Sequence, residues 1–153
     1  MNTRIEKMKK FHNDPINVKQ SMDVGVIAEN KYLNIMMVLA KLVDETISLP
    51  ASEELYRDVI LAEYVEGIQF ILQLGEECGF ENDLIEEYAQ LRANGEISNQ
   101  FMQVLEAVLL FRIKKSAIMY RALFYQYLQL GKLLNITLEE IEQSLKREAN
   151  ESI

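Results

Sequence analysis

The chain has 153 residues, 49% of them hydrophobic, and 24 acidic against 16 basic side chains give it a formal charge of −8. That acidity argues against nucleic-acid and anionic-membrane binding, which need a basic face, and no run approaches the roughly 18 apolar residues of a membrane span. The sole cysteine, Cys78, excludes an intrachain disulfide and points to a soluble protein of a reducing, cytoplasmic setting. With only 2 Pro and 6 Gly among many good helix formers, the expected fold class is all-α, with a single domain spanning 1–153.

A helix is predicted from about Thr3 to His12, ended by the turn-prone Asn13-Asp14-Pro15. Ile16 to Asp23 is ambiguous. From Val24 to Ile47 an apolar face recurs through Ile27, Leu33, Ile35, Met36, Leu39, Leu42 and Val43, which predicts a long helix stopping before Pro50. Ser52 is placed to N-cap the next helix, with Glu53 and Glu54 in its first turn to suit the dipole. That helix carries Glu63 and Glu66 and ends between Gly75 and Gly79. A shorter one follows from about Asn82 to Arg92, and Asn94-Gly95 breaks the chain.

From Ser98 or Asn99 the pattern predicts one helical stretch to Leu130, with Gly131 as its C-cap. Its aromatic patch of Tyr120, Phe124, Tyr125 and Tyr127 is expected in a core or dimer interface, with base stacking as the alternative. Thr137 and Glu140 have capping-box spacing for a last helix that frays from Ala149 to Ile153. These elements predict a bundle of five or six helices.

The residues that point to chemistry lie between Leu61 and Phe70. Glu63 and Glu66 stand three apart, so on a helix they share a face. Their neighbours Val59, Ile60, Ile68, Phe70 and Ile71 are apolar, and unpaired carboxylates in such a setting are costly. A salt bridge is one solution and a divalent cation is another.

The segment Glu63-Tyr64-Val65-Glu66-Gly67 resembles the second metal motif of the dimeric dUTPases, members of the MazG-like, all-α NTP pyrophosphatases. There a Glu-Tyr-Val-Asp-Gly segment supplies two Mg²⁺ ligands, and Glu66 stands at the Asp position. The resemblance implies a helical homodimer that uses Mg²⁺ to split dUTP or a related dNTP into the monophosphate and pyrophosphate. The family's first metal motif is a Glu-x-x-Glu pair followed by an Asn-Glu-Thr-like segment. Its ungapped counterpart here is Met37–Thr46, in which Asp44-Glu45-Thr46 matches while Val38 and Lys41 replace the metal-binding glutamates.

Asn34, Val38, Lys41 and Glu45 share one helical stripe, so Glu45 is expected to face the same cleft as Glu63 and Glu66. If a metal is bound, the resemblance makes Glu63 and Glu66, joined by Glu45, its expected ligands; the preferred reading is that Lys41 instead pairs its ammonium with Glu63 and Glu66 in place of the cation, which predicts weak or absent Mg²⁺ binding. Near the C-terminus the resemblance implies substrate-binding roles for Lys146 and Arg147, whose charge suits a triphosphate. Glu148 stands where the family has Asn, and the family's Arg-Gln pair is absent. No catalytic residue is assigned.

His12 is the sole histidine, and neither a Gly-rich phosphate loop nor a Cys cluster occurs. Met36, Met37, Met102, Met119 and Phe124 are candidates for an isologous dimer interface. Two functions follow. One is a dUTPase-like pyrophosphohydrolase with reduced, altered or lost activity. The alternative is a non-catalytic helical scaffold or binding protein that keeps the family fold.

Overall fold

The computed structural model of the chain describes residues 24–48, 54–81 and 84–151. The predicted helix at Thr3–His12, the turn at Asn13-Asp14-Pro15, the segment Ile16–Asp23 and the Ser52 cap lie outside the described residues. Six α-helices make up most of what is described: α1 (Val24–Val43), α2 (Glu54–Cys78), α3 (Leu84–Gln90), α4 (Ile97–Ile113), α5 (Ala117–Leu133) and α6 (Leu138–Glu151). None of them is long and apolar enough to cross a membrane.

The apolar stripe of α1 is buried through Ile35, Val38, Leu39 and Leu42. Past Val43 the coil widens into a π-helical turn, Asp44–Ser48, where the Thr46 hydroxyl donates to the Leu42 carbonyl at 2.6 Å. Such turns are rare and often mark functional sites. Helix α2 packs antiparallel on α1 and buries Leu61, Tyr64, Val65, Ile68, Ile71 and Leu74. It ends in a Schellman motif. Gly79 adopts φ 77°, Phe80 N–H donates to the Gly75 carbonyl at 2.7 Å, and Gly79 N–H to that of Glu76 at 3.2 Å.

The single stretch predicted from Ser98 to Leu130 is two helices, α4 and α5, folded into a hairpin at Lys114-Lys115-Ser116. A continuous helix there would be about 50 Å long, whereas the hairpin lets each half bury its stripe against the other. The sequence phase marks the break. The stripe of Phe101, Val104, Val108 and Phe111 would continue at positions 115 and 118, but Lys115 and Ile118 are exposed. Ser116 has extended backbone, and its hydroxyl oxygen caps α5 by accepting from Met119 N–H at 3.2 Å.

Gly131 is not the cap of α5. The helix runs on to Leu133, and Asn135 takes the left-handed conformation (φ 59°). Ile136 N–H bonds to the Gly131 carbonyl at 3.0 Å and Asn135 N–H to that of Lys132 at 3.1 Å, a second Schellman motif. The capping box that opens α6 is formed as its spacing predicts. Glu140 N–H donates to Thr137 Oγ1 at 3.1 Å, and Thr137 N–H to Glu140 Oε1 at 2.9 Å. Helix α6 continues through Ala149 to Glu151. Of the predicted interface residues, Phe124 is 1% exposed and belongs to the core, whereas Met37 and Met102 are exposed.

Candidate metal and nucleotide site

The site grows from the pairing of α1 with α2. An ion pair between Lys31 and Glu77 ties the start of α1 to the end of α2. The same antiparallel register carries Glu45, in the π-helical turn, alongside Glu63. Their electrostatics agree. Burial pushes the Glu63 carboxyl above its ordinary value, the charge of Glu45 pushes it further, Lys41 opposes, and Glu66 adds to the rise. Glu45 is likewise raised, by burial first and then by Asp44, against the pull of Lys41. Each of the two glutamates keeps its Oε2 buried and without a hydrogen-bond partner.

One expectation, the ion pair of Lys41, needs correction. Lys41 forms no ion pair among the described residues; it is exposed and acts on Glu45 and Glu63 only through its field. Glu66 is exposed too, and among the described residues no three metal-ligating side chains are gathered into one cluster. The reason is rotational. Val38 belongs to the core at 2% exposed, and a three-residue step turns about 60° short of a full turn, which carries Lys41 past the edge of the core into solvent.

Helix α2 is held in place by a clasp the sequence reading missed. Tyr64 of α2 and Tyr127 of α5 stack with ring centroids 4.6 Å apart and planes 5° from parallel. Each hydroxyl donates to the other residue's backbone carbonyl, Tyr64 at 2.9 Å and Tyr127 at 2.7 Å. The rings reach those carbonyls because glycine opens a notch for each. A Cβ on Gly67 would sit 2.0 Å from the Tyr127 hydroxyl oxygen, and one on Gly131 2.2 Å from that of Tyr64. Burial drives the Tyr127 phenol far above its ordinary range, and the charges of Glu63 and Glu66 add to it, so the ring end adjoins the acidic pair. The spacings Tyr64-x-x-Gly67 and Tyr127-x-x-x-Gly131 were the available signal.

Helix α6 runs parallel to α2. Arg57 grips Glu140 with contacts of 2.6 and 3.1 Å, and Gln69 Nε2 donates to Glu148 at 2.6 Å. Glu148 therefore fastens the two helices together. Lys146 and Arg147, both exposed, are carried at the level of the α2 turn that runs from Glu66 to Gln69. Cys78 is half-buried at the end of α2, and burial raises its thiol pKa, which keeps it protonated and unreactive.

A family model described as dUTPase matches residues 1–151. The chain belongs to the dUTPase family. No curated protein and no solved structure matches it. The six-helix all-α architecture is of the MazG-like class to which these enzymes belong. Whether this dUTPase-family chain fits the family's Mg²⁺ can be judged from its donors. The two buried, unpartnered oxygens of Glu45 and Glu63 suit one hard cation, which commonly takes one or two protein carboxylates and completes its shell with water and phosphate. Among the described residues no group of three or more metal-ligating side chains stands beside them.

Proposed function

We propose that this protein is a dUTPase-like pyrophosphohydrolase of reduced or altered activity, converting dUTP or a related dNTP to the monophosphate and pyrophosphate. The observation that carries the reading is the pair of orphaned oxygens on Glu45 and Glu63. Two buried carboxylate oxygens that lack hydrogen bonds are costly, and a bound cation removes that cost. When bound, Mg²⁺ neutralises charge developing on the phosphoryl oxygens and activates the attacking water. Glu45 and Glu63 would hold it, Glu66 would extend the acidic edge toward solvent, and Lys146 and Arg147 would draw in the triphosphate. Rate falls below that of a four-carboxylate site because Val38 and Lys41 contribute no ligands.

The exposed apolar side chains Leu33, Met37, Met102, Leu110, Ile113 and Ile118 supply surface for a homodimer. A single cysteine and a nucleotide substrate fit the cytoplasm. The second reading, a non-catalytic scaffold or binding protein, is favoured by Val38 lying in the core and by the absence of a three-ligand cluster among the described residues. Pyrophosphate release from dUTP, dCTP and dTTP with Mg²⁺ or Mn²⁺ separates the two. Slow, metal-dependent turnover that disappears in Glu63→Gln supports the enzyme. No turnover from any of the nucleotides supports the scaffold.

A further inference from the structure

We infer that the groove between α4 and α5 is a docking site for residues 3–12 of this same chain. The groove holds about 320 Å³ and is lined by Met102, Glu106, Ala107 and Leu110 of α4 and by Met119 and Ala122 of α5. Met102 and Leu110 are 55% and 52% exposed there. Large apolar side chains gathered along an open groove mark a surface that another segment covers.

Charge, length and tether point to the occupant. Residues 1–23 hold five basic and three acidic side chains, so they carry a net +2 against −10 on the rest of the chain. Among the described residues lining the groove, Glu106 alone is charged. Ile5, Met8 and Phe11 recur every three residues, so on the helix predicted for Thr3–His12 they share a face, bordered by Arg4, Lys7 and Lys9. Such a face suits an apolar groove that carries a carboxylate. A helix from Thr3 to His12 would be about 15 Å long, and α4 advances about 16 Å from Asn99 to Leu110. Arg112 pairs with Glu29 at 2.6 Å, and Phe111 meets Tyr32 with ring centroids 6.2 Å apart. The start of α1 therefore lies at the hairpin end of the groove. Residues 13–23 reach up to about 36 Å, more than the groove's length, and Asn13-Asp14-Pro15 offers a reversal. Leu33 and Met37, exposed on α1, stay open to a second copy, and the docking stands whether or not the chain hydrolyses a nucleotide.

The test reads access to the groove in the full chain. Ala122→Cys places a thiol on the groove, and Tyr125→Cys places one at an exposed position of α5 outside it. The rate of maleimide labelling at each position is followed by peptide mass spectrometry, which separates it from Cys78. Met8→Asp combined with Phe11→Asp should speed labelling at position 122 about 10-fold or more and leave position 125 unchanged. Glu106→Lys should speed it roughly 2- to 5-fold. The protection should not vary with protein concentration, since the occupant is tethered. No change at position 122 in the Met8→Asp, Phe11→Asp chain overturns the inference, and so does an equal rise at both positions, which marks general loosening. Protection that grows with protein concentration also overturns it, because the occupant is then a second copy.

Discussion

Replacing Gly67 by alanine sets two physical effects of opposite sign against each other. In the middle of an ordinary helix this change stabilises by about 1 kcal/mol, since glycine loses more backbone entropy on folding. Here the new Cβ would lie 2.0 Å from the Tyr127 hydroxyl oxygen and 2.6 Å from its Cζ. The Tyr127 ring is fully buried and stacked on Tyr64, so it has no free direction in which to swing. Either α2 and α5 separate or the ring is forced out of its rotamer.

Overpacking of this kind costs about 1–3 kcal/mol, and opening the clasp forfeits two hydrogen bonds of about 1 kcal/mol each. Against the helix gain, the net expectation is a loss of roughly 2–4 kcal/mol. With a urea m-value of about 2 kcal/mol/M, the unfolding midpoint followed by circular dichroism should fall by about 1–2 M. In a Tyr127→Leu background the clashing ring is gone, and the same Gly67→Ala change should be neutral or stabilising. A single variant with a midpoint at or above that of wild type would refute the clasp as the element that positions Glu63 and Glu66.

Glu63 provides a pH test. Its folded pKa is raised above the ordinary 4.5, so the folded state holds the proton more tightly than the unfolded one, and stability falls as pH rises through the window from 4.5 to the raised value. In EDTA, Glu63→Gln should therefore be more stable than wild type at pH 7 and converge with it near pH 4; a gap that narrows toward neutral pH contradicts the burial argument. Val38→Glu places a carboxylate in the core and should cost roughly 3 kcal/mol or more; combined with Lys41→Glu it should gain more thermal stability from Mn²⁺ than wild type does, and an identical Mn²⁺ shift would show that position 38 does not reach the site. Thr137→Ala removes the α6 cap and should cost about 1 kcal/mol by urea unfolding. Burial raises the Glu140 carboxyl, but bonds from Thr137 and Arg57 outweigh it and leave the pKa lowered; that stabilisation is present above 4.5 and lost as pH falls through the lowered value, so Glu140→Gln should flatten the acid limb of the stability profile.

Local features were legible in the sequence, and features set by distant partners were not. The Thr137–Glu140 box and the end of α2 near Gly79 both follow from spacings within a helix or at its end. The hairpin at Lys114-Lys115-Ser116 contains neither Gly nor Pro, so only the loss of phase after Phe111 announces it. Gly131 near the end of α5 reads locally as a cap, yet its role is set by Tyr64, a residue on a different helix far away in the sequence. The orientation of Lys41 was lost for a subtler reason. Residues three apart share a helical face only to within about 60°, and at the margin of a core that angle separates buried Val38 from exposed Lys41.

The same distinction divides the Glu63-Tyr64-Val65-Glu66-Gly67 segment. Tyr64 and Gly67 serve the clasp with Tyr127, and Val65 fills the core; the fold needs all three whether or not any nucleotide binds. A sequence match at those positions therefore speaks for architecture. The glutamates are another matter, because packing gives no reason for Glu63 to be charged. A glutamine there would avoid the cost of burying a charge with an unbonded oxygen, and so would one at Glu45. Two costly acids, one in the π-helical turn and one on α2, support the proposed site, in which a ligand would supply the missing partner. That is why the orphaned oxygens, rather than the motif, carry the functional reading.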